Sequence, residues 1–333
     1  MKRPMTMVLA IAALISGAAL AQTKEVTIGY QDMLDPYRTA QEAKEIEKAT
    51  GYKINWKQFG GGGEVIKAMA SGAVQVGEVG SAGIAAAVSR GEPYELFWIL
   101  DDIGDAEALV VKNGSGINSV ADLKGKKIAV PFNSTTHFHT MVALEQAKVN
   151  PADVQILNMR PPEVRAAWQR GDIQATFIWD PVLAEVKKDG KVIISSGKIS
   201  ADTGKATFDG YIVNKDWAKT NRDFMVKFVK VLAASDEKYR ANKAKWTADS
   251  PEVKAVAKWS GAKPEDVPAG MALYQFPTLG EQASKWLGGG KNSVAAKALA
   301  ATAEFQLSQK QIEKTLPDYS VVVNPTYAQD AAK

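Results

Sequence analysis

The stretch Lys126-Lys127-Ile128-Ala129-Val130-Pro131-Phe132-Asn133-Ser134-Thr135-Thr136-His137 decides how this chain is read. A short apolar strand runs into a loop of hydroxyl residues, and Phe138, Met141, Val142, Leu144 and Glu145 follow at once with helical spacing. Ser134, Thr135 and Thr136 therefore fall at the N-cap and first turn of a helix. The first N–H groups of a helix lack intrahelical partners, and its dipole places partial positive charge there. Such a spot seats a small anion. An ordinary Ser/Thr cap without a ligand is the competing reading.

The same grammar repeats outward from this segment. Glu25-Val26-Thr27-Ile28-Gly29-Tyr30 and Tyr52-Lys53-Ile54-Asn55-Trp56-Lys57 read as strands, with a helical segment around Ala40 to Lys48 between them. Gly60 to Gly63 precedes a helical run, and the strand Val74-Gln75-Val76-Gly77 leads to a helix opening at Ser81. Val154 to Leu157, Ala175 to Trp179 and Val192 to Ile194 are further strands. Strand alternating with helix predicts an α/β fold with mixed or mostly parallel sheets flanked by helices. From Asn221 onward the chain turns helical: Phe224, Met225, Phe228, Val229 and Leu232 form one apolar stripe. Ser250-Pro251 opens another helix that Gly261 closes.

Ala108-Leu109-Val110-Val111 and Tyr211-Ile212-Val213 bracket the central block. Read as crossovers, they divide the chain into an outer lobe, 24–111 with 211–333, and an inserted lobe, 112–210. A cleft between lobes is a common place for a small ligand. The helix starts at Gly60–Gly63, Gly80-Ser81 and Ser134–Thr136 each follow a strand. In parallel α/β sheets such loops gather at the carboxyl ends of the strands.

Composition narrows the function. Residues 1–21 read as an export signal: Lys2 and Arg3, an apolar run from Met7 to Ile15, then Ala19-Leu20-Ala21 as a cleavage site. The run is shorter than the ~20 residues a spanning helix requires. The chain has 333 residues and no cysteine, so disulfides, thiolate metal sites and a Cys nucleophile are excluded. The formal charge of +4 falls to +2 once Lys2 and Arg3 are removed, and the lysines are dispersed, so nucleic acid is not an expected partner. His137 and His139 cannot share a helical face and no carboxylate cluster accompanies them, so no metal is expected. Gly60–Gly63 and Gly288-Gly289-Gly290-Lys291 lack the context of a phosphate loop, and no nucleophile elbow is present. No cofactor is expected. Arg170-Gly171-Asp172 reads as a helix end at Gly171.

The run from Lys126 to His137, the segment Ala166-Ala167-Trp168-Gln169-Arg170-Gly171-Asp172, and Glu107-Ala108-Leu109-Val110-Val111 together resemble the nitrate/sulfonate/taurine substrate-binding family of bacterial ABC importers, its taurine-binding branch in particular. The likeness runs from about Val26 to Tyr319. It implies a two-lobed periplasmic-binding-protein fold of type II that closes over an aminosulfonate and delivers it to an inner-membrane permease. It also implies a periplasmic, non-enzymatic protein, and delivery to one permease favours a monomer.

The resemblance maps the sulfonate seat onto Gly80-Ser81 and Ser134-Thr135-Thr136, and places Tyr30 and Gln31 in the cleft wall. Asp209 matches the acidic residue for the ammonium end; the other reading of Asp209 is a turn or cap. Trp179 is either core or a cleft wall whose face could hold a cation. Glu107 either touches ligand or pairs with a neighbouring arginine. The chain departs from the taurine pattern at Glu78, where an amide is typical, at Ala82 in place of a second serine, and at Asp180 in place of a small residue. Glu78 and Asp180, if directed inward, favour a small cationic nitrogen compound such as guanidinium, an amidine or an amine. A remote third reading is an enzyme on the same fold, of the thiamine-pyrimidine-synthesis kind.

Overall fold

The apolar strand-forming runs sort into two sheets. The computed structural model describes residues 24–333; the expected export signal lies outside the described residues. The first half supplies β1 (Glu25–Tyr30), α1 (Arg38–Glu42), α2 (Glu45–Thr50), β2 (Lys53–Gln58), α3 (Gly62–Ala70), β3 (Val76–Gly80), α4 (Ser81–Ser89) and β4 (Tyr94–Asp102). The middle supplies β5 (Glu107–Lys112), β6 (Lys127–Val130), α5 (Thr135–Gln146), β7 (Gln155–Asn158), α6 (Pro161–Arg170), β8 (Ala175–Trp179), α7 (Val182–Val186), β9 (Gly190–Ser195) and α8 (Ser196–Thr203). The chain then returns through β10 (Phe208–Asn214) and continues through helices that include Arg222–Asn242, Pro251–Ser260 and Val294–Ser308.

Each sheet has five strands, in the orders β2-β1-β3-β10-β4 and β7-β6-β8-β5-β9. β1 runs parallel to β2 and β3, and β6 parallel to β7 and β8. Into each parallel group comes one antiparallel strand from the other half of the chain: β10 beside β3 and β4, and β5 beside β8 and β9. The sheets are therefore mixed, and each lobe is completed by the strand that follows a crossover.

That pairing moves the lobe boundaries. β5 was expected in the outer lobe up to residue 111, yet its whole length pairs with β8 and β9 of the inserted lobe. Phe208–Gly210, expected in the inserted lobe, begin β10 in the outer sheet. The crossings are the short segments 103–106 and 204–207, before each strand and not within it. An apolar run signals a strand but says nothing of which sheet it joins.

Local signals account for most element ends. Gly171 closes α6 with φ 79° and Gly261 closes Pro251–Ser260 with φ 76°, the left-handed conformation that glycine adopts at no steric cost. The segment expected as one helix from Ala40 to Lys48 is two, because Lys44 takes φ 54° between α1 and α2. The apolar stripe Phe224, Met225, Phe228, Val229, Leu232 is buried against the outer sheet, where Phe228 meets Tyr211 at 5.4 Å. β3 is buried along its entire length, as expected of a strand covered on both faces. No helix among the described residues is long and apolar enough to cross a membrane.

Candidate functional site

Three helices start where the two sheets face each other. α3 starts at Gly62 after Gly61, α4 at Ser81 directly off β3, and α5 at Thr135 after its N-cap Ser134. The Ser134 hydroxyl accepts from His137 N at 3.1 Å, the side-chain cap foreseen from sequence. Between these starts lies a cavity. The outer lobe lines it with Gln31, Met33, Gly62, Gly80 and Asp209, the inserted lobe with Glu107, Ser134, Thr135 and Trp179.

The lining carries two carboxylates and no basic side chain. Positive potential comes instead from the helix N-termini, whose first N–H groups have no intrahelical acceptor. The lining hydroxyls are spent inside the protein: Ser134 donates to Pro131 O at 2.6 Å, and Thr135 donates to Glu107 Oε1. An anion here is therefore met by backbone N–H groups.

Glu107 is gripped on both oxygens, by Thr135 and, at 2.9 Å, by the Ser196 hydroxyl. Burial pushes its carboxyl up to about 7, against the lowering effect of those two donors. Behind it, His139 Nδ1 lies 2.7 Å from Ser196 Oγ and Nε2 lies 2.9 Å from the Lys205 carbonyl. Burial lowers the pKa of that imidazole to about 4. Asp209 is raised well above the ordinary carboxylate range, first by burial and then by Glu107, Asp35 and Glu78. Directly across the β4–β10 pair sits Asp101, wholly buried, with neither carboxyl oxygen hydrogen-bonded among the described residues. Burial and the facing Asp209 hold Asp101 well above the ordinary range. Trp179 spans the lobes, its indole N–H donating to Asp32 Oδ1 at 2.9 Å.

Of the residues expected from sequence, Gln31, Glu107, Ser134, Thr135, Trp179 and Asp209 line the cavity together. Tyr30, Glu78, Ser81, Thr136 and Asp180 do not. Tyr30 packs edge-on against Trp56 and Trp259, with the Arg38 guanidinium 4.9 Å from its ring centre. The Ser81 hydroxyl accepts from Phe208 N at 3.3 Å, and Thr136 Oγ1 bonds the Ser134 hydroxyl at 2.8 Å. Asp180 is turned along its own helix, Oδ1 accepting from Ala184 N at 2.7 Å. Glu78 is claimed by Arg38, which reaches its two oxygens at 3.1 and 3.0 Å, and by the Tyr37 hydroxyl. The two carboxylates that motivated a cationic ligand thus point away from the cavity. Sequence reasoning missed Met33 and the Arg38–Glu78 pair. An arginine inside an otherwise half-buried helix was the only available signal for the latter.

Gly80 sits at a close approach of the two lobes. A Cβ there would lie 2.9 Å from Thr135 Cγ2 of the other lobe and 3.0 Å from Asp209 Oδ1. Gly80→Ala is expected to weaken ligand binding by about 1–3 kcal/mol, the usual scale of overpacking. Calorimetry on the variant checks this, and unaltered affinity would show that the lobes need not approach here.

The family model for the substrate-binding domain of ABC-type glycine betaine transport systems matches residues 24–260. The chain belongs to this family of ABC-transporter substrate-binding domains. Along its length the binding protein is 35% identical to the taurine-binding periplasmic protein of Escherichia coli (strain K12), over 96% of this chain and 97% of that one. In three dimensions it superposes on the alkanesulfonate-binding protein SsuA from Xanthomonas axonopodis pv. citri bound to MOPS, with a TM-score of 0.73 at 23% identity, covering 91% of this chain and 97% of that one. The desulfurization enzyme DSZB shares the fold as well, with a TM-score of 0.62 at 14% identity over 93% of this chain and 99% of the enzyme. The binding-protein fold therefore serves both transport and catalysis.

Proposed function

We propose that the protein captures a small aminosulfonate of the taurine type in the interlobe cavity, outside the cytoplasmic membrane, and hands it to an ABC permease without altering it. One observation carries the reading: a single small cavity brings together three helix N-termini and two carboxylates, with no basic side chain in its lining. That pairing suits a zwitterion. The sulfonate would accept from first-turn N–H groups near Gly62, Ser81 and Thr135, and the ammonium would donate to Asp209 and Glu107. The lining is contributed by nine residues from both lobes, which favours a small solute over an extended one.

Quaternary ammonium ligands are held in cages of several aromatic rings. The cavity lining has one aromatic ring, Trp179, beside acceptors suited to N–H donors. The kinship with the taurine-binding relative points the same way. Carrier function is favoured over catalysis by the match, over nearly the whole chain, to a periplasmic binding protein. Export with cleavage after Ala21, and action as a monomer, complete the reading.

Thermal shift of the mature protein against sulfonates, quaternary ammoniums and small cations tests it. A ligand that binds only the folded state raises the melting temperature, by about 2.7 kcal/mol of stabilisation at a hundredfold excess over Kd. Stabilisation by taurine is expected. Stabilisation by guanidinium or glycine betaine with taurine silent would overturn the assignment.

A further inference from the structure

Gln31 is held at every polar atom but one. Its backbone N–H donates to Glu78 Oε1 at 2.9 Å, and its backbone carbonyl accepts from Arg38 Nη2 at 2.9 Å. Its side-chain Nε2 donates to the Glu78 backbone carbonyl at 3.1 Å. A carbonyl oxygen only accepts, so the amide cannot be turned over: nitrogen faces Glu78 and oxygen faces away. Among the described residues Gln31 Oε1 accepts no hydrogen bond, and Gln31 lines the cavity.

The fixture behind this orientation lies entirely in the outer lobe. Arg38, fully buried, bonds both Glu78 oxygens, Asp35 Oδ2 at 3.1 Å and the backbone carbonyls of Gln31 and Met33, two residues of the cavity wall. The Tyr37 hydroxyl adds a further bond to Glu78. An ion pair this deeply buried contributes little net stability over an apolar replacement, so its value lies in specifying one arrangement. All its members belong to β3, α1 and the segment between β1 and α1, so it persists whether the lobes are open or closed.

We propose that the Arg38–Glu78 pair is a positioning device that locks Gln31 with its amide oxygen toward the cavity, making Gln31 a specificity residue for ligands that carry an N–H donor. This rests on the aminosulfonate reading above and deepens it. A primary ammonium finds a third acceptor beside Asp209 and Glu107. A fully methylated ammonium offers no hydrogen to Gln31 and, once bound, leaves that oxygen without a partner, the kind of mismatch that discriminates strongly.

Calorimetry with taurine and N,N,N-trimethyltaurine on wild type, Gln31→Met and Glu78→Gln provides the test. Wild type is expected to prefer taurine by at least about a hundredfold. Gln31→Met, which keeps the side-chain length, should lose about tenfold in taurine affinity and nothing for the trimethyl compound. Glu78→Gln should shrink the same ratio, a change that mere loss of stability would not produce. Equal losses for both ligands in Gln31→Met, or no loss for either, would overturn the proposal. If wild type binds neither sulfonate, the ligand reading fails by itself. Nuclear magnetic resonance of the Gln31 side-chain amide in ligand-free protein then still decides the orientation. Slowly exchanging Nε2 hydrogens support the lock, and freely exchanging ones refute it.

Discussion

Asp209→Asn is expected to weaken taurine binding by about 2–4 kcal/mol, or about 30- to 1,000-fold in Kd, because it leaves a desolvated ammonium without its charged partner. The same change should stabilise the empty protein. Asp209 is buried within reach of the fields of Glu107, Asp35 and Glu78, which raise its carboxyl well above the ordinary value of 3.8. A carboxyl whose pKa is higher folded than unfolded binds more protons when folded, so stability falls as pH rises from the unfolded value toward the folded one. The asparagine variant lacks that loss. Its melting temperature should exceed that of wild type at neutral pH, and the gap should close as pH falls toward 4. A site held at a cost in stability is a mark of function. Calorimetry and melting curves across pH check both halves. A variant that binds normally would remove Asp209 from the ligand's contacts.

The second large effect is on stability. Arg38 and Glu78 have fully buried side chains, and Asp35 beside them is 2% exposed. Arg38→Met strips the cation from both carboxylates and should cost about 3–5 kcal/mol, the scale for stranding a buried charge. Burial already pushes Asp35 up to about 8, with Glu78 adding to the rise and Arg38 opposing it. Losing the guanidinium removes the one opposing effect. Pairing Arg38→Met with Glu78→Leu should recover part of the loss, because a buried ion pair replaced by apolar groups is often near neutral. Urea denaturation of the single and double variants measures the coupling directly. A single variant within about 1 kcal/mol of wild type, the range of ordinary surface ion pairs, would show that the pair is not desolvated as the structure has it.

The contrast between Asp209 and Glu78 shows where sequence reasoning holds. Both are acids on strands that end at the cleft, and both were candidates for the ligand. Asp209 and Gly80 are register partners on β10 and β3, at the mouth of the cavity. Glu78 lies two residues before Gly80 on β3, and its carboxylate meets an arginine 40 positions away in the chain. No local pattern announces that meeting. Asp180 failed for a different reason: its bond to Ala184 N is local, a helix cap that sequence could have favoured over a ligand contact. Asp101 was invisible as a site residue because only the β4–β10 register sets it opposite Asp209.

The sequence by itself determined the alternation of strand and helix, the hydroxyl cap at Ser134, the glycine helix ends at Gly171 and Gly261, and the three helix starts that follow strands. Each depends on the conformational preference of a few neighbouring residues, and such preferences are written locally. Only the tertiary structure decided which sheet β5 and the start of β10 join, which carboxylates face the cavity, and that the Arg38–Glu78 pair fixes Gln31. Those outcomes depend on pairings across dozens of residues, where strand register and burial, not propensity, set the direction of each side chain.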